Sequence, residues 1–457
     1  MIALRTYQVD ALASARRLMA GGARAVLVVS PTGSGKGTML AHTLARTAAL
    51  GRRGLFVVHR RQLVQDIAAR LRAAGVEHVG VAMGADSRDL DAPIVAGTVQ
   101  TLTARGLGAD VDIIVPDEAH HAVAETWRPL LSGRARVLGF TATPCRADGG
   151  ALGVDSGGVF DRLVIGATVG DLTRAGHLVP CRVYAPAERA SSLAARPVEA
   201  HAAYLRGRRV LWYARDRKHA ERVAADLVAS GVRAAAVDAT HADRDARIAR
   251  FIAGELDALV NVHLLTEGTD IPAVDGIGIA RTIGHDGAWL QVLGRGLRPS
   301  PGKRDCVVVD LCGSAAEFGL PDWPRAWSLE GRPIRLLSEP DVAISQCAAC
   351  GMVFRAHEWR DATCPGCGAV RRGKPDPRVV RARLEEVRGG HGTSERGAAL
   401  HGLRLRARAA GYHRGWADRL FVARYPDGAS AEDWAECRRL EREAGLAPTW
   451  ATRRKSA

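Results

Sequence analysis

The stretch RAVLVVSPTGSGKGTML, residues 24–40, decides the fold. Its apolar run, RAVLVVS (24–30), ends in a turn carrying Gly33 and Gly35, and from Lys36 to about Leu50 apolar residues recur at helical spacing. A β-branched run, a glycine turn and an amphipathic helix make up the opening unit of a parallel α/β sheet. Ser30-Pro31-Thr32-Gly33-Ser34-Gly35-Lys36 thus sits between a strand and a helix. Glycines let backbone N–H groups turn inward around phosphate oxygens, and the helix N-terminus adds the positive end of its dipole. A lysine at this point supplies a charge for the β- and γ-phosphates. Thr32, Gly33, Ser34, Gly35 and Lys36 are therefore the candidate phosphate ligands. The next residue in such a loop is ordinarily Ser or Thr, whose hydroxyl holds Mg²⁺. Here it is Gly37, and Thr38 follows as the nearest hydroxyl.

Outward from the loop, short apolar runs recur at 54–58, 94–97, 111–115 and 136–140, with amphipathic segments between them. The pattern weakens across about 145–205 and restarts at 209–213, 232–238, 257–262, 274–280 and 306–311. Strands alternating with helices imply a parallel sheet covered on both faces, here twice over. The boundaries read as a first domain at 1–184, a linker at 185–205 and a second domain at 206–320. One of these runs also carries chemistry. In Val111-Asp112-Ile113-Ile114-Val115-Pro116-Asp117-Glu118-Ala119-His120, an apolar strand delivers two adjacent carboxylates at its C-terminal end, where ligands gather in such sheets. One carboxylate can hold Mg²⁺ and the other can accept a proton from an attacking water. A solvated acidic turn is the plainer explanation of such a pair; the glycine loop upstream tips the balance toward chemistry.

The 457 residues are 47% hydrophobic and 25% charged, an ordinary soluble composition. No apolar run approaches the roughly 20 residues that span a bilayer. The opening MIALRTYQVD lacks a secretory core, so a cytoplasmic location without membrane contact is expected. The nine cysteines then read as reduced thiols or metal ligands. The net charge of +15 suggests a polyanionic partner, although an arginine-rich codon bias would also raise it. Position says more: residues 368–457 hold 20 Lys+Arg against 11 Asp+Glu, a net +9 of the +15.

Past a connector at 321–342, Cys347-x2-Cys350 and Cys364-x2-Cys367 stand 13 residues apart. Two such pairs can place four thiolates tetrahedrally around a structural Zn²⁺, giving a zinc ribbon at 343–372. A basic helical region is expected at 373–457. Within it Tyr412 and Trp416 lie among arginines, suited equally to stacking on bases or to a helix core.

These motifs, in this order over roughly 1–315, resemble those of the superfamily 2 helicases. Leu4-Arg5-Thr6-Tyr7-Gln8 resembles the element whose glutamine reads adenine, which implies nucleotide contact for Arg5 and Gln8. Leu55 to Arg60 looks like motif Ia and Gly97 to Leu102 like motif Ib, both lining a nucleic-acid path in the family. Asp117-Glu118-Ala119-His120 is similar to the DEAH box, and Gly139-Phe140-Thr141-Ala142-Thr143-Pro144 to motif III. Leu265 to Pro272 resembles motif V, which brings Gly268 and Asp270 to the nucleotide. Gln291-Val292-Leu293-Gly294-Arg295-Gly296-Leu297-Arg298 resembles motif VI, which makes Gln291, Arg295 and Arg298 catalytic. Arginine suits that role because the γ-phosphate gains negative charge in the transition state.

The order of motor, Trp327 to Gly331 segment and cysteine pairs resembles RadD-type and phage-encoded DNA helicases. The resemblance implies two tandem RecA-like parallel-sheet domains, a small zinc ribbon and a basic helical tail. It also implies ATP, Mg²⁺ and structural Zn²⁺, with nucleic acid as partner and DNA favoured over RNA. The activity so implied is that of an ATP-dependent helicase or translocase, in repair, recombination or phage replication, with partner proteins of those processes. Two alternatives stay open: the motor subunit of a restriction or nuclease system, and a non-catalytic nucleic-acid-binding protein with a degenerate nucleotide site. Gly37 is what supports the last of these.

Overall fold

The structure, a computed structural model, describes residues 2–146, 148–186, 193–262, 264, 271, 273–323, 325–331, 344–346, 353–355, 385–387, 404 and 437. Met1–Arg388 forms one compact unit and Gly389–Ala457 a second.

The first sheet grows from the apolar runs around the glycine turn. Helix α1 (Thr6–Ala20) leads into strand β1 (Ala25–Val29), and helix α2 (Lys36–Ala49) leaves the turn. There follow β2 (Gly54–Val58), α3 (Arg61–Ala73), β3 (Val79–Ala82), β4 (Ile94–Thr98) and α4 (Val99–Ala104). Then come β5 (Ile113–Pro116), α5 (Arg128–Leu131), β6 (Arg136–Thr141) and β7 (Arg162–Ile165). The strand order is β3-β4-β2-β5-β6-β1-β7, and every pairing is parallel. Successive strand residues face opposite sides. Val26, Val28, Phe56 and Phe140 therefore enter one core with α1, α2 and α3, whereas Leu27, Leu55, Val57 and Val137 enter the other with α4 and α5. Burial on both faces is why these strands are continuous apolar runs rather than alternating ones.

The chain leaves the first sheet earlier than the sequence suggests. Helix α6 (Val169–Arg174) already packs Leu172 into the second core beside Leu178 and Val179. Strand β8 (Cys181–Ala185) joins the second sheet as well. The crossing thus lies at 166–168, not at 185–205. The described residues of that expected linker instead cover the second sheet. Helix α7 (Pro197–Ala200) and a π-helical turn (His201–Leu205) bury Ala200 and Leu205, and Ala194 N donates to Leu311 O at 2.9 Å. The Gly and Pro residues that weakened the pattern are turn and helix-start residues of folded structure. Gly176 has φ 71° and Pro197 opens α7.

The second sheet continues with β9 (Val210–Ala214), α8 (Arg217–Ala229), β10 (Ala234–Val237), α9 (Arg244–Ala253) and β11 (Ala258–Asn261). It closes with β12 (Gly276–Ala280), α10 (Asp286–Gly296), β13 (Cys306–Asp310) and α11 (Ser314–Phe318). Strands β14 (Ile344–Gln346) and β15 (Val353–Arg355) form an antiparallel pair. Strand β16 (Glu385–Val387) pairs antiparallel with β8, so a strand stands inside the region expected to be helical. The order is β10-β11-β9-β12-β13-β8-β16. The chain is thus α/β with two RecA-like sheets, parallel throughout their described pairings apart from β16. Among the described residues no helix is long and apolar enough to cross a membrane. The four paired cysteines, and the 373–457 region apart from 385–387, 404 and 437, lie outside the described residues.

Candidate nucleotide site

Sheet order gathers the chemistry. Strand β6 lies between β5 and β1, so the segments leaving these three strands emerge side by side. They are residues 117–120 after β5, 142–144 after β6 and the glycine loop 30–36 after β1. Ligands collect at this carboxyl edge in open parallel sheets.

The loop is preset. Gly33 and Gly35 have φ of 88° and 79°, where an L side chain is strained. Space forbids one too: a Cβ on Gly33 would stand 2.8 Å from Leu178 Cδ2, and one on Gly35 would stand 2.5 Å from Gln8 Nε2. Ser30 Oγ donates to Ser34 Oγ at 2.7 Å, and Lys36 Nζ donates to the Ser30 carbonyl at 3.2 Å. Gln8 is buried against the loop, donating from Nε2 to the carbonyls of Ser34 (3.0 Å) and Gly35 (3.4 Å). Its Oε1 accepts from Arg5 N at 2.9 Å. The Gln8 amide therefore shapes the loop through its main chain, alongside Tyr7, whose hydroxyl donates to Ser34 O at 2.8 Å. Arg5 is exposed, with Nη1 3.4 Å from that hydroxyl.

The two carboxylates converge through a backbone irregularity. Adjacent residues of an extended strand point to opposite faces. Glu118 breaks this alternation: its φ and ψ of 47° and 48° are left-handed, a conformation costing a non-glycine residue about 1–2 kcal/mol. Such strain persists where surrounding structure enforces it, commonly at functional sites. Burial first, and the Glu118 charge second, push the Asp117 carboxyl up to about 7 against the pull of Lys36. A crowded, half-buried carboxylate pair is the donor chemistry that a divalent cation relieves, so these residues fit Mg²⁺. His120 ties the pair to β6, with Nδ1 3.6 Å from Glu118 Oε2 and 3.0 Å from Thr141 Oγ1. Thr141 Oγ1 in turn donates to Thr143 O at 2.8 Å.

Helix α10 reaches the loop from the second sheet. A Cβ on Gly294 would lie 2.5 Å from Thr32 Cβ, and one on Gly287, seven residues earlier on the same helix face, 3.0 Å from Thr143 Oγ1. Two glycines thus let the helix backbone approach the first domain at both of its ends. Gln291 and Arg295 are buried there. Arg298 Cγ lies 3.3 Å from where a Gly33 Cβ would be. Burial lowers the Lys36 ammonium, Glu118 and Asp117 raise it, and Arg298 and Arg295 lower it again. One lysine therefore feels two carboxylates from the first sheet and two guanidiniums from the second.

Comparison with known proteins agrees with this arrangement. Residues 1–146 match the family described as type III restriction enzyme, res subunit, and residues 197–300 match the helicase conserved C-terminal domain. Together the two matches pair, in one chain, the two halves of a superfamily 2 helicase motor. The chain is 27% identical to a Saccharomyces cerevisiae protein named as ATP-dependent helicase IRC3, over 68% of this chain and 52% of that one. The chain therefore spans about half the length of that relative. It is 24% identical to a 51.5 kDa protein of a Lactococcus phage, over 72% of this chain and 75% of the other. Among solved structures, an HsdR fragment of a type I restriction enzyme from Vibrio vulnificus shares the fold (TM-score 0.56, 22% identity, 72% of this chain and 67% of that one).

Other expected site residues fall as follows. Thr38 sits in the first turn of α2, its Oγ1 3.6 Å from where a Gly35 Cβ would be. Strands β2 and β4 are neighbours, so His59-Arg60 and Thr98 to Thr101 share one sheet edge beside the nucleotide loops. Gly268 and Asp270 lie outside the described residues. Sequence inspection quoted Tyr7 and Gly294 within their motifs without reading a role for either, and missed Gly287; the partners of all three are set by packing between distant segments.

Proposed function

We propose that this helicase-family chain hydrolyses ATP to move along or remodel nucleic acid, with DNA as its track. The observation that carries the proposal is the approach of Arg298 to the glycine loop at Gly33, with Lys36 lying in the field of Arg295 and Arg298 on one side and of Asp117 and Glu118 on the other. Lys36 and the loop N–H groups hold the β- and γ-phosphates. Mg²⁺, held by Asp117 with Thr38 as the nearest hydroxyl, would neutralise charge on the phosphates and polarise the γ-phosphoryl group. Glu118 accepts a proton from water as the water oxygen bonds to the γ-phosphorus and the bond to the β-γ bridging oxygen breaks, leaving ADP and phosphate. Arg295 and Arg298 stabilise charge on the γ-phosphoryl oxygens, a contribution of about 10³–10⁵ in rate where an arginine finger has been measured. Because they come from the other sheet, turnover is tied to the contact between domains, and that coupling can drive stepping. The test is Arg295→Ala, expected to keep ADP affinity and lose hydrolysis; equal loss of both would refute the assignment.

The spacing of Cys347-x2-Cys350 and Cys364-x2-Cys367, residues outside the described ones, supports a zinc knuckle in sequence alone. This and the motor order support kinship with RadD-type and phage-encoded helicases. A second role, as motor of a restriction system, is favoured by the match of residues 1–146 to a restriction subunit family. Copurification of a nuclease or methyltransferase subunit would select it.

A further inference from the structure

Beyond the second sheet the chain turns back to the first. Arg325 is buried and anchored in the second domain, with Nε 3.2 Å from both carboxylate oxygens of Asp286, the first residue of α10. Its Nη2 donates to Phe318 O at 2.8 Å, and its Nη1 to the carbonyls of Leu320 (3.1 Å) and Trp323 (3.2 Å). Four residues later the chain is anchored in the first domain. The Leu329 carbonyl accepts from Leu152 N at 2.8 Å and Gly153 N at 2.9 Å, and its side chain packs on the core that holds Leu152 and Phe160. Gly331 completes the seat: its φ is 71°, and a Cβ there would stand 2.3 Å from Ala151 N. Four residues reach at most about 14 Å.

We propose that residues 325–331 are a strap fastening the second domain to the first, and that Arg325 and Leu329 thereby position Arg295 and Arg298 over the glycine loop. Arg325 grips the start of the helix that carries Arg295, and Leu329 fixes that grip to the first domain at Leu152 and Gly153. The domains are already joined through residues 166–168; a seated strap adds a second tether, which narrows the range of placements the arginines sample before they meet the nucleotide. The strap rests on geometry alone; its effect on turnover rests on the proposed ATP hydrolysis, and the two are separable by experiment.

The variant is Gly331→Val in the full chain, which unseats the strap without touching any residue placed at the nucleotide. Dyes at the exposed positions Glu77 and Ser230 report domain separation by energy transfer in the absence of nucleotide. The parent protein is expected to give one narrow distance and the variant a broader, longer one. In the variant kcat falls roughly 10- to 100-fold while ADP affinity stays within about twofold, because misplacement acts on the arginines and not on the loop. Leu329→Ala, which removes the side-chain packing of the anchor and keeps its carbonyl bonds, shifts distance and kcat in the same direction by a smaller amount if the valine variant folds poorly. A Gly153→Cys, Leu329→Cys pair in the Gly331→Val background, whose 3.1 Å Cβ separation widens by a few tenths of an ångström to accept a disulfide, is closed by an added dithiol oxidant such as diamide; the bridge re-fastens the strap and restores kcat until reductant is added. A parent protein that is already open without nucleotide, or variants with unchanged distance, would overturn the strap. Wider separation at unchanged kcat would overturn the positioning role. Absence of any turnover in the parent would count against the proposed function, while the distances still decide the strap.

Discussion

At position 37 the backbone leaves room for a side chain. A Cβ there would meet Arg70 Nη1 at 3.5 Å, an ordinary contact, so glycine is not required by space. Gly37→Ser is therefore expected to fold normally, gaining a few tenths of a kcal/mol of helix propensity, and to need less Mg²⁺ for half-maximal hydrolysis. An unchanged Mg²⁺ requirement would mean that Thr38 or water already fills the role. Lys36, Asp117 and Glu118 were legible as residues because loop chemistry and strand-end carboxylates leave a local signature. The task of Gln8 was not, since its amide partners on Ser34 and Gly35 are 26 and 27 residues away and belong to the folded loop.

Among the elements, α10 carries the interface on its small residues. Gly294→Ala raises helix propensity by about 1 kcal/mol in isolation but puts a methyl 2.5 Å from Thr32 Cβ. The expected outcome is a second domain as stable as before, ADP binding intact and hydrolysis reduced at least tenfold; unchanged hydrolysis would show that the two domains do not approach this closely during turnover. The loop after β10 invites a pH test. Burial pushes the Asp238 carboxyl up, but the hydroxyl and amide of Thr240 and the His241 ring outweigh it and hold it at about 2. A carboxyl depressed in the folded state contributes stability above about pH 4 that is lost as pH falls toward 2. Asp238→Asn should flatten that acid limb of the denaturation curve, and an unaltered limb would contradict the assignment. Strands buried on both faces were readable from their apolar runs. Strands β3 and β7 were not: β3 is four residues with a central glycine, and edge strand β7 buries little beyond Val164. The domain crossing was misplaced because turn residues inside a fold look the same in sequence as those of a tether.

For the whole molecule, a net charge of +15 and two sheets meeting at one lysine point to a motor on a polyanion. Nucleic-acid affinity is expected to fall linearly on a log scale with salt, as counterion release requires, and salt-independent affinity would argue against a phosphate-backbone track. The most direct measurement is ATP hydrolysis by the purified full chain with Mg²⁺, alone and with single-stranded DNA, duplex DNA or RNA, beside Lys36→Ala. Turnover stimulated by DNA and abolished in the variant is the expected result. No turnover with any polymer, despite salt-sensitive binding, would contradict the motor and leave a nucleic-acid-binding protein with a disabled nucleotide site.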